Sequence, residues 1–171
     1  LVQRFYALYD SAQVQLHNLY GPTECAVDVT YYDCLSTDTV VPIGTPIYNT
    51  QIYIADRFLN LLPIGVCGEL LIGGKNVGQG YVNDSTLTKE RFVDSPFGEG
   101  KLYKTGDLAY RREDGQIIFC GRMDTQVKIN GQRLEIGEIE ATIKSVPGVE
   151  AVAVIVRMVN GKNALVAFYC G

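Results

Sequence analysis

The sequence predicts an α+β chain in three parts: the end of an α/β subdomain over residues 1–40, a distorted β-barrel subdomain over 41–123, and, after a hinge, the start of a small α+β C-terminal subdomain over 124–171. Three observations carry this. A helical apolar stripe leads into a strand that opens on a Gly-Pro loop, the way open α/β sheets present ligand sites. The middle is a succession of short β-prone runs broken by turn residues. From Gln126 the texture changes to hairpin, helix, hairpin.

Val2, Phe5, Tyr6 and Tyr9 recur at i, i+3, i+4 and i+7, which predicts a helix. No cap precedes the stripe, so it reads as part of something larger. Val14 to Tyr20 alternates and meets Gly21-Pro22, predicting a strand that ends in a loop. Residues 25–45 are less regular, with Ser36-Thr37-Asp38 as a surface loop. Short strands are expected at Asn49 to Ala55, Gly68 to Ile72, Lys101 to Tyr103, Leu108 to Arg111 and Gln116 to Cys120. Asp114-Gly115 is a hairpin signal, because both turn positions favour positive φ. One helix, Ser85 to Phe92, is expected with Ser85 or Thr86 as its N-cap.

Beyond the hinge, Val127 to Ile129 and Arg133 to Glu135 flank Asn130-Gly131, a second hairpin. A helix then carries Ile136, Ile139, Ile143 and Val146 on one face and stops at Pro147-Gly148. Val149 to Val156 and Ala164 to Cys170 form a last antiparallel pair around Asn160-Gly161, with a core thin enough to suggest that the fold continues past it.

Composition excludes several classes of function. The 171 residues carry a formal net charge of -4 with no basic stripe, which argues against nucleic acid as a partner. No apolar run approaches the roughly 18 residues of a membrane span, and the start lacks a secretory signal's apolar core, so a cytoplasmic protein without a membrane partner is expected. The five cysteines are scattered and never form C-x-x-C, so they are expected to be reduced and mostly buried. His17 is the single histidine, expected to be packed or capping rather than a ligand. No Walker A loop, G-x-G-x-x-G or G-x-S-x-G occurs.

Three stretches have chemical potential. Asn18-Leu19-Tyr20-Gly21-Pro22-Thr23-Glu24 offers an aromatic face, a hydroxyl and a carboxylate, able to stack a base, bond a phosphate and hold Mg2+; a Gly-Pro turn beside a solvated glutamate is the plainer reading. In Tyr103-Lys104-Thr105-Gly106-Asp107-Leu108 the aspartate could accept both ribose hydroxyls, or simply form an Asx-turn. Gly121 to Glu135 is polar and charged, a hinge or a plain linker.

In this order, and with Gly68-Glu69-Leu70-Leu71-Ile72-Gly73-Gly74, Gly80-Tyr81-Val82-Asn83 and Leu87-Thr88-Lys89-Glu90-Arg91-Phe92 as a fourth motif, the chain resembles the adenylation domains of nonribosomal peptide synthetases, within the adenylate-forming, AMP-binding superfamily. The resemblance runs along essentially the whole chain. It implies ATP and Mg2+ as cofactors, an amino acid as substrate, and a phosphopantetheinylated carrier protein and other synthetase domains as partners.

The resemblance also implies site residues. Asn18, Gly21 and Tyr20 would border the nucleotide, with Tyr20 stacked on adenine; Thr23 would meet the α-phosphate and Glu24 would ligate Mg2+. Asp107 would hold the ribose, Phe119 would stand where the family has a tyrosine, and Arg122 would reach ribose or phosphate. Leu19, Val27 and Asp28 align with substrate-pocket positions. Asp124 matches the hinge, and Lys128 to Gly131 the loop that faces the carrier. Asn130 replaces a commoner arginine. The fourth motif is given no direct chemistry, since its residues suit strand and turn. The family's Ser/Thr/Gly-rich phosphate loop and catalytic lysine are not among these residues, so the chain by itself is expected to be inactive. Another adenylate-forming ligase (acyl- or aryl-CoA, or D-alanine carrier-protein ligase) and a non-catalytic scaffold are the alternatives.

Overall fold

The structure is a computed structural model and describes residues 1–123, 126–129, 132–159 and 161–171, with Lys128 and Arg133 described in backbone only. Two compact units, 1–123 and 124–171, divide the chain.

The first unit opens with helix α1 (Val2–Tyr6), shorter than the stripe predicts. Asp10 ends it: the Asp10 carbonyl accepts the Gln13 and Val14 N–H groups and its side chain accepts Ala12 N–H, drawing the chain into turns. Tyr9 is left half exposed. Strands β1 (His17–Tyr20), β2 (Thr30–Asp33) and β3 (Thr45–Pro46) form an antiparallel sheet in that order. The β2 strand lies in the stretch expected to be irregular. Its Thr30-Tyr31-Tyr32 run is β-prone, and Thr30 locks it by donating its hydroxyl to the Ile43 carbonyl at 2.5 Å from a fully buried position. His17 is neither packed nor capping. It sits exposed opposite Asp33, Nδ1 to Oδ1 2.7 Å, a cross-strand surface pair.

Strands β4 (Thr50–Ala55) and β5 (Gly68–Gly74) follow, then helix α2 (Ser85–Arg91) and strands β6 (Phe92–Asp94), β7 (Lys101–Arg111) and β8 (Ile117–Arg122). They make an antiparallel sheet in the order β4-β5-β7, which forks because β6 pairs with the start of β7 and β8 with its end. Register shifts between Glu69 and Leu71 and between Leu108 and Ala109 mark bulges, which raise the local twist. The expected distorted barrel takes the form of this open, forked sheet, with no closed barrel among the described residues. Every residue of β5 from Gly68 to Gly73 is buried, because both faces are covered: Leu70 and Ile72 pack with Tyr103, Ile117 and Val29, while Leu71 packs with Ala55, Leu102 and Tyr53.

Three local expectations change. Residues 101–103 and 108–111 belong to one strand, and Thr105-Gly106-Asp107 runs through its middle rather than forming an Asx-turn. The 112–116 loop is wider than a two-residue hairpin: Gly115 is at positive φ and Asp114 is not, and Arg112 N–H bonds the Gln116 carbonyl at 2.8 Å. Asp84, one residue earlier than expected, caps α2 by accepting Leu87 N–H at 2.8 Å. The cysteines also divide differently, with Cys25 and Cys34 buried and Cys67, Cys120 and Cys170 exposed.

In the second unit, β9 (Val127–Ile129) pairs with β10 (Gln132–Leu134). Helix α3 (Ile136–Lys144) lays Ile136, Ile139 and Ile143 inward and leaves Val146 exposed. Strands β11 (Ala151–Val159) and β12 (Lys162–Cys170) form a long antiparallel hairpin. Glu140 ties the helix to it by accepting Val154 N–H at 2.8 Å. The expected hinge residue Asp124 and loop residue Gly131 lie outside the described residues.

Two outcomes follow from this packing. Replacing Asp84 by Ala should lower unfolding free energy in urea by about 1 kcal/mol, and replacement by Asn should be nearly neutral. Alkylation of the folded chain at pH 8, read by mass spectrometry, should label Cys67 and Cys170 first. Cys120, pushed up to about 11 by burial and the neighbouring Cys67 thiol, should follow. Cys25, pushed up to about 12 by burial and then by the Glu24 charge, should stay unmodified.

Candidate nucleotide site

Strand β1 ends on Tyr20, and the chain turns through Gly21 and Pro22 into a 3-10 turn, Thr23–Cys25. Only glycine fits at 21, since a Cβ there would stand 2.0 Å from the Val27 carbonyl oxygen. The turn leaves through Ala26 and Val27 at φ 58° and 76°. That region is disfavoured for a β-branched residue, and Val29 N–H, bonded to the Tyr20 carbonyl at 2.8 Å, closes the loop that imposes it. Strain of this kind costs about 1–3 kcal/mol per residue and collects at ligand sites. Cys25 is buried under the turn, which leaves Thr23 exposed and Glu24 half-buried.

The Tyr20 hydroxyl crosses to the second sheet and donates to Asp107 Oδ2 at 2.5 Å. Arg122 stands opposite Asp107 in the β7–β8 register. Its guanidinium pairs with Asp107 Oδ1 and also donates to the Thr105 carbonyl at 3.3 Å. The ion pair is largely buried, with side-chain exposures of 16% for Arg122 and 11% for Asp107; removing one partner of such a pair typically costs about 3–5 kcal/mol. Burial first, and then the Asp107 charge, holds the Tyr20 phenol far above its ordinary range. Tyr20 is therefore a permanent donor.

Asp107 owes its place to the strand that carries it. Thr105, buried, donates its hydroxyl to the Leu70 carbonyl at 2.7 Å and accepts Asp107 N–H at 2.9 Å. Buried Glu69 accepts Gly106 N–H at 3.1 Å, with Lys104 Nζ 4.0 Å away. The sequence carried a signal for Glu69 that its motif reading passed over: an acid inside a fully buried run needs partners.

A second cluster forms around Glu24, whose Oε1 accepts the Tyr81 hydroxyl at 2.8 Å; the Tyr103 hydroxyl is 3.4 Å from that of Tyr81. Tyr81 was not among the expected site residues. The other candidates disperse. Asn18 donates its side-chain amide to the Pro42 carbonyl at 2.7 Å, bracing β1. Leu19, next to Tyr20 on a strand, faces the opposite side of the sheet and is exposed, as is Val27, while Asp28 is half-buried. Phe119 is exposed on β8, opposite Ala109. Lys128 lies in β9 of the second unit. Among the described residues no group of three or more His, Cys, Asp or Glu converges, so a cation here would need ligands from a substrate as well as from Glu24. No described helix is long and apolar enough to cross a membrane.

Comparison with known proteins shows what the chain is similar to as a whole. The family model described as "AMP-binding enzyme" matches residues 1–82. Zwittermicin A synthase ZmaJ of Bacillus cereus is 50% identical over 158 residues, 90% of this chain and 30% of that protein. Bacitracin synthase 1 of Bacillus licheniformis is 46% identical over 166 residues, 94% of this chain and 3% of that protein. The chain thus spans less than a third of these curated relatives. Among solved structures, holo-PA1221, a nonribosomal peptide synthetase protein containing adenylation and carrier (PCP) domains, superposes at TM-score 0.89 with 31% identity, covering 98% of this chain and 30% of that one. The Vibrio cholerae adenylation domain AlmE, in complex with glycyl-adenosine-5'-phosphate, superposes at 0.84 with 33% identity, covering 99% of this chain and 34% of that one. The chain belongs to the AMP-binding enzyme family and is part of a nonribosomal peptide synthetase adenylation domain.

Proposed function

We propose that the protein containing this chain is an ATP-dependent amino-acid-activating ligase, and that residues 1–123 supply one wall of its nucleotide site. The observation that carries this is the meeting of Tyr20, Asp107 and Arg122, which are far apart in sequence, around one carboxylate. A carboxylate offers about four acceptor positions, so ribose hydroxyls can join Tyr20 and Arg122 on Asp107 without displacing them. Tyr20 gives adenine an aromatic face beside that anchor. Arg122, already neutralising Asp107, keeps positive charge where ribose and phosphate meet. A relative that holds an aminoacyl-adenylate supports the same placement here.

Thr23 and Glu24 stand on the turn that follows, and their hard oxygen donors fit Mg2+, which protein sites commonly hold through one or two carboxylates plus substrate phosphates. When bound, that ion supplies charge neutralisation for the phosphates of ATP. Glu24 is its ligand in this chain, and Thr23 donates to the α-phosphate. The reaction class is attack of an amino acid carboxylate on the α-phosphorus with loss of pyrophosphate, driven by positioning and charge neutralisation. Residues 124–171 begin the C-terminal subdomain, with Asp124 as hinge and Lys128 to Gly131 facing the carrier's pantetheine arm. Leu19, Val27 and Asp28 border the amino acid pocket. The protein is cytoplasmic and works with a carrier protein and other synthetase domains.

The decisive experiment is amino-acid-dependent pyrophosphate exchange by the longer protein that contains this chain. Exchange is expected there and absent from the 171 residues alone, which hold neither the phosphate loop nor the lysine of the family. Failure of the longer protein with all standard amino acids overturns the proposal. In the same protein, Asp107→Asn should weaken ATP about 10- to 100-fold, as expected for lost hydrogen bonds to a charged group, and 2′,3′-dideoxy-ATP by less than about 3-fold. Equal losses for the two nucleotides would show that Asp107 does not read the ribose.

A further inference from the structure

Strand and turn requirements account for most of the Gly68 to Phe92 motif, yet one of its side chains ends on a proposed site residue. Glu24 stands on a three-residue 3-10 turn, too short to fix the direction of a flexible side chain. The segment after β5 does that from outside. Gly78 N–H donates to the Glu24 carbonyl at 2.8 Å, an approach open only to glycine, since a Cβ at 78 would lie 2.9 Å from that oxygen. Three residues on, the Tyr81 hydroxyl donates to Glu24 Oε1. Backbone and side chain of Glu24 are thus both gripped by the same short segment.

The grip is itself braced. Tyr81 N–H donates to Thr88 Oγ1 at 2.8 Å, and Thr88 Oγ1 donates to the Asp84 carbonyl at 2.7 Å, so α2 fixes the backbone of Tyr81. The Tyr81 ring meets Phe92 edge-on, centroids 5.5 Å apart, and Phe92 packs on Tyr103 at 5.0 Å. Because an ionised carboxylate can only accept, Tyr81 is the donor to Glu24, and the Tyr103 hydroxyl lies 3.4 Å from that of Tyr81. Burial, followed by the bonds to Tyr81 and Glu24, holds the Tyr103 phenol far above its ordinary range. Tyr103 therefore stands against Tyr81 and Glu24 together and steadies both.

We propose that Tyr81 is a positioning residue for Glu24, orienting its carboxylate for a divalent cation carried by the nucleotide. This rests on the functional reading above. Mg2+ demands near-ideal octahedral geometry, and loss of a partner that orients a metal-ligating carboxylate typically lowers metal affinity about 10- to 100-fold.

The test uses the longer protein with ATP bound and Mn2+ as a paramagnetic probe titrated by EPR, with the thermal midpoint of the metal-free protein measured alongside. Tyr81→Phe keeps the ring and should raise the Mn2+ dissociation constant about 10-fold. Unchanged Mn2+ affinity in Tyr81→Phe overturns the proposal, including when the thermal midpoint falls, since that pattern belongs to a purely structural contact. A wild-type protein that binds ATP and Mn2+ normally while Tyr81→Phe does the same leaves the functional reading intact. A wild-type protein with no ATP-dependent Mn2+ binding overturns both.

Discussion

The Asp107 carboxylate is the constraint on which the first unit depends. It is a nearly buried charge, and an unpaired charge in that position would be prohibitive. Its two oxygens are answered from opposite directions, by Tyr20 at the end of the first sheet and by Arg122 on the strand beside it. Each partner is tied elsewhere in turn: Arg122 also holds the Thr105 carbonyl, and Tyr20 precedes the tight Gly21 turn. The charge thus fixes how β1 approaches β7, and with it the position of the Thr23–Cys25 turn. A neutral residue of similar shape could pack there, but it would leave Arg122 buried without its counter-charge.

Much of this was legible beforehand, and the illegible parts have definite causes. The Tyr20 to Glu24 and Tyr103 to Leu108 stretches were visible because turn glycines, aromatic residues and acids in close sequence are uncommon in plain strands. Sequence alone could not give the direct bond between Tyr20 and Asp107, which joins residues 87 apart. Strand β2 was missed because its surroundings read as irregular, and what holds it, the ladders to β1 and β3 and the buried Thr30 to Ile43 bond, lies outside the strand itself. The opposite error occurred in β7: Thr105-Gly106-Asp107 has the composition of a turn, and the partners that hold it in a strand, Leu70 and Glu69, are more than thirty positions away. Asn18 and Leu19 illustrate a third limit. Leu19, next to Tyr20, faces the other side of the strand because successive residues alternate, whereas Asn18 shares the Tyr20 face but spends its amide on the Pro42 carbonyl.

The two acids of the proposed site are held by the same device used in both directions. Tyr20, at the end of the first sheet, donates to Asp107 in the second; Tyr81, from the segment following β5 of the second sheet, donates to Glu24 on the turn that ends the first. Each sheet lends the other the hydroxyl that its own acid requires. Asp107 keeps Arg122 within its own sheet, but the Tyr20 and Tyr81 bonds form only when the two sheets meet, and a single phenol-to-carboxylate bond contributes only about 1.5–3 kcal/mol and must outweigh the entropy of ordering both side chains. Shared packing of Tyr20, Tyr81, Phe92 and Tyr103 against one core lowers that entropic cost, because the rings are already immobile when the hydroxyls meet the acids. Assembly of the core and definition of the site are for this reason a single event.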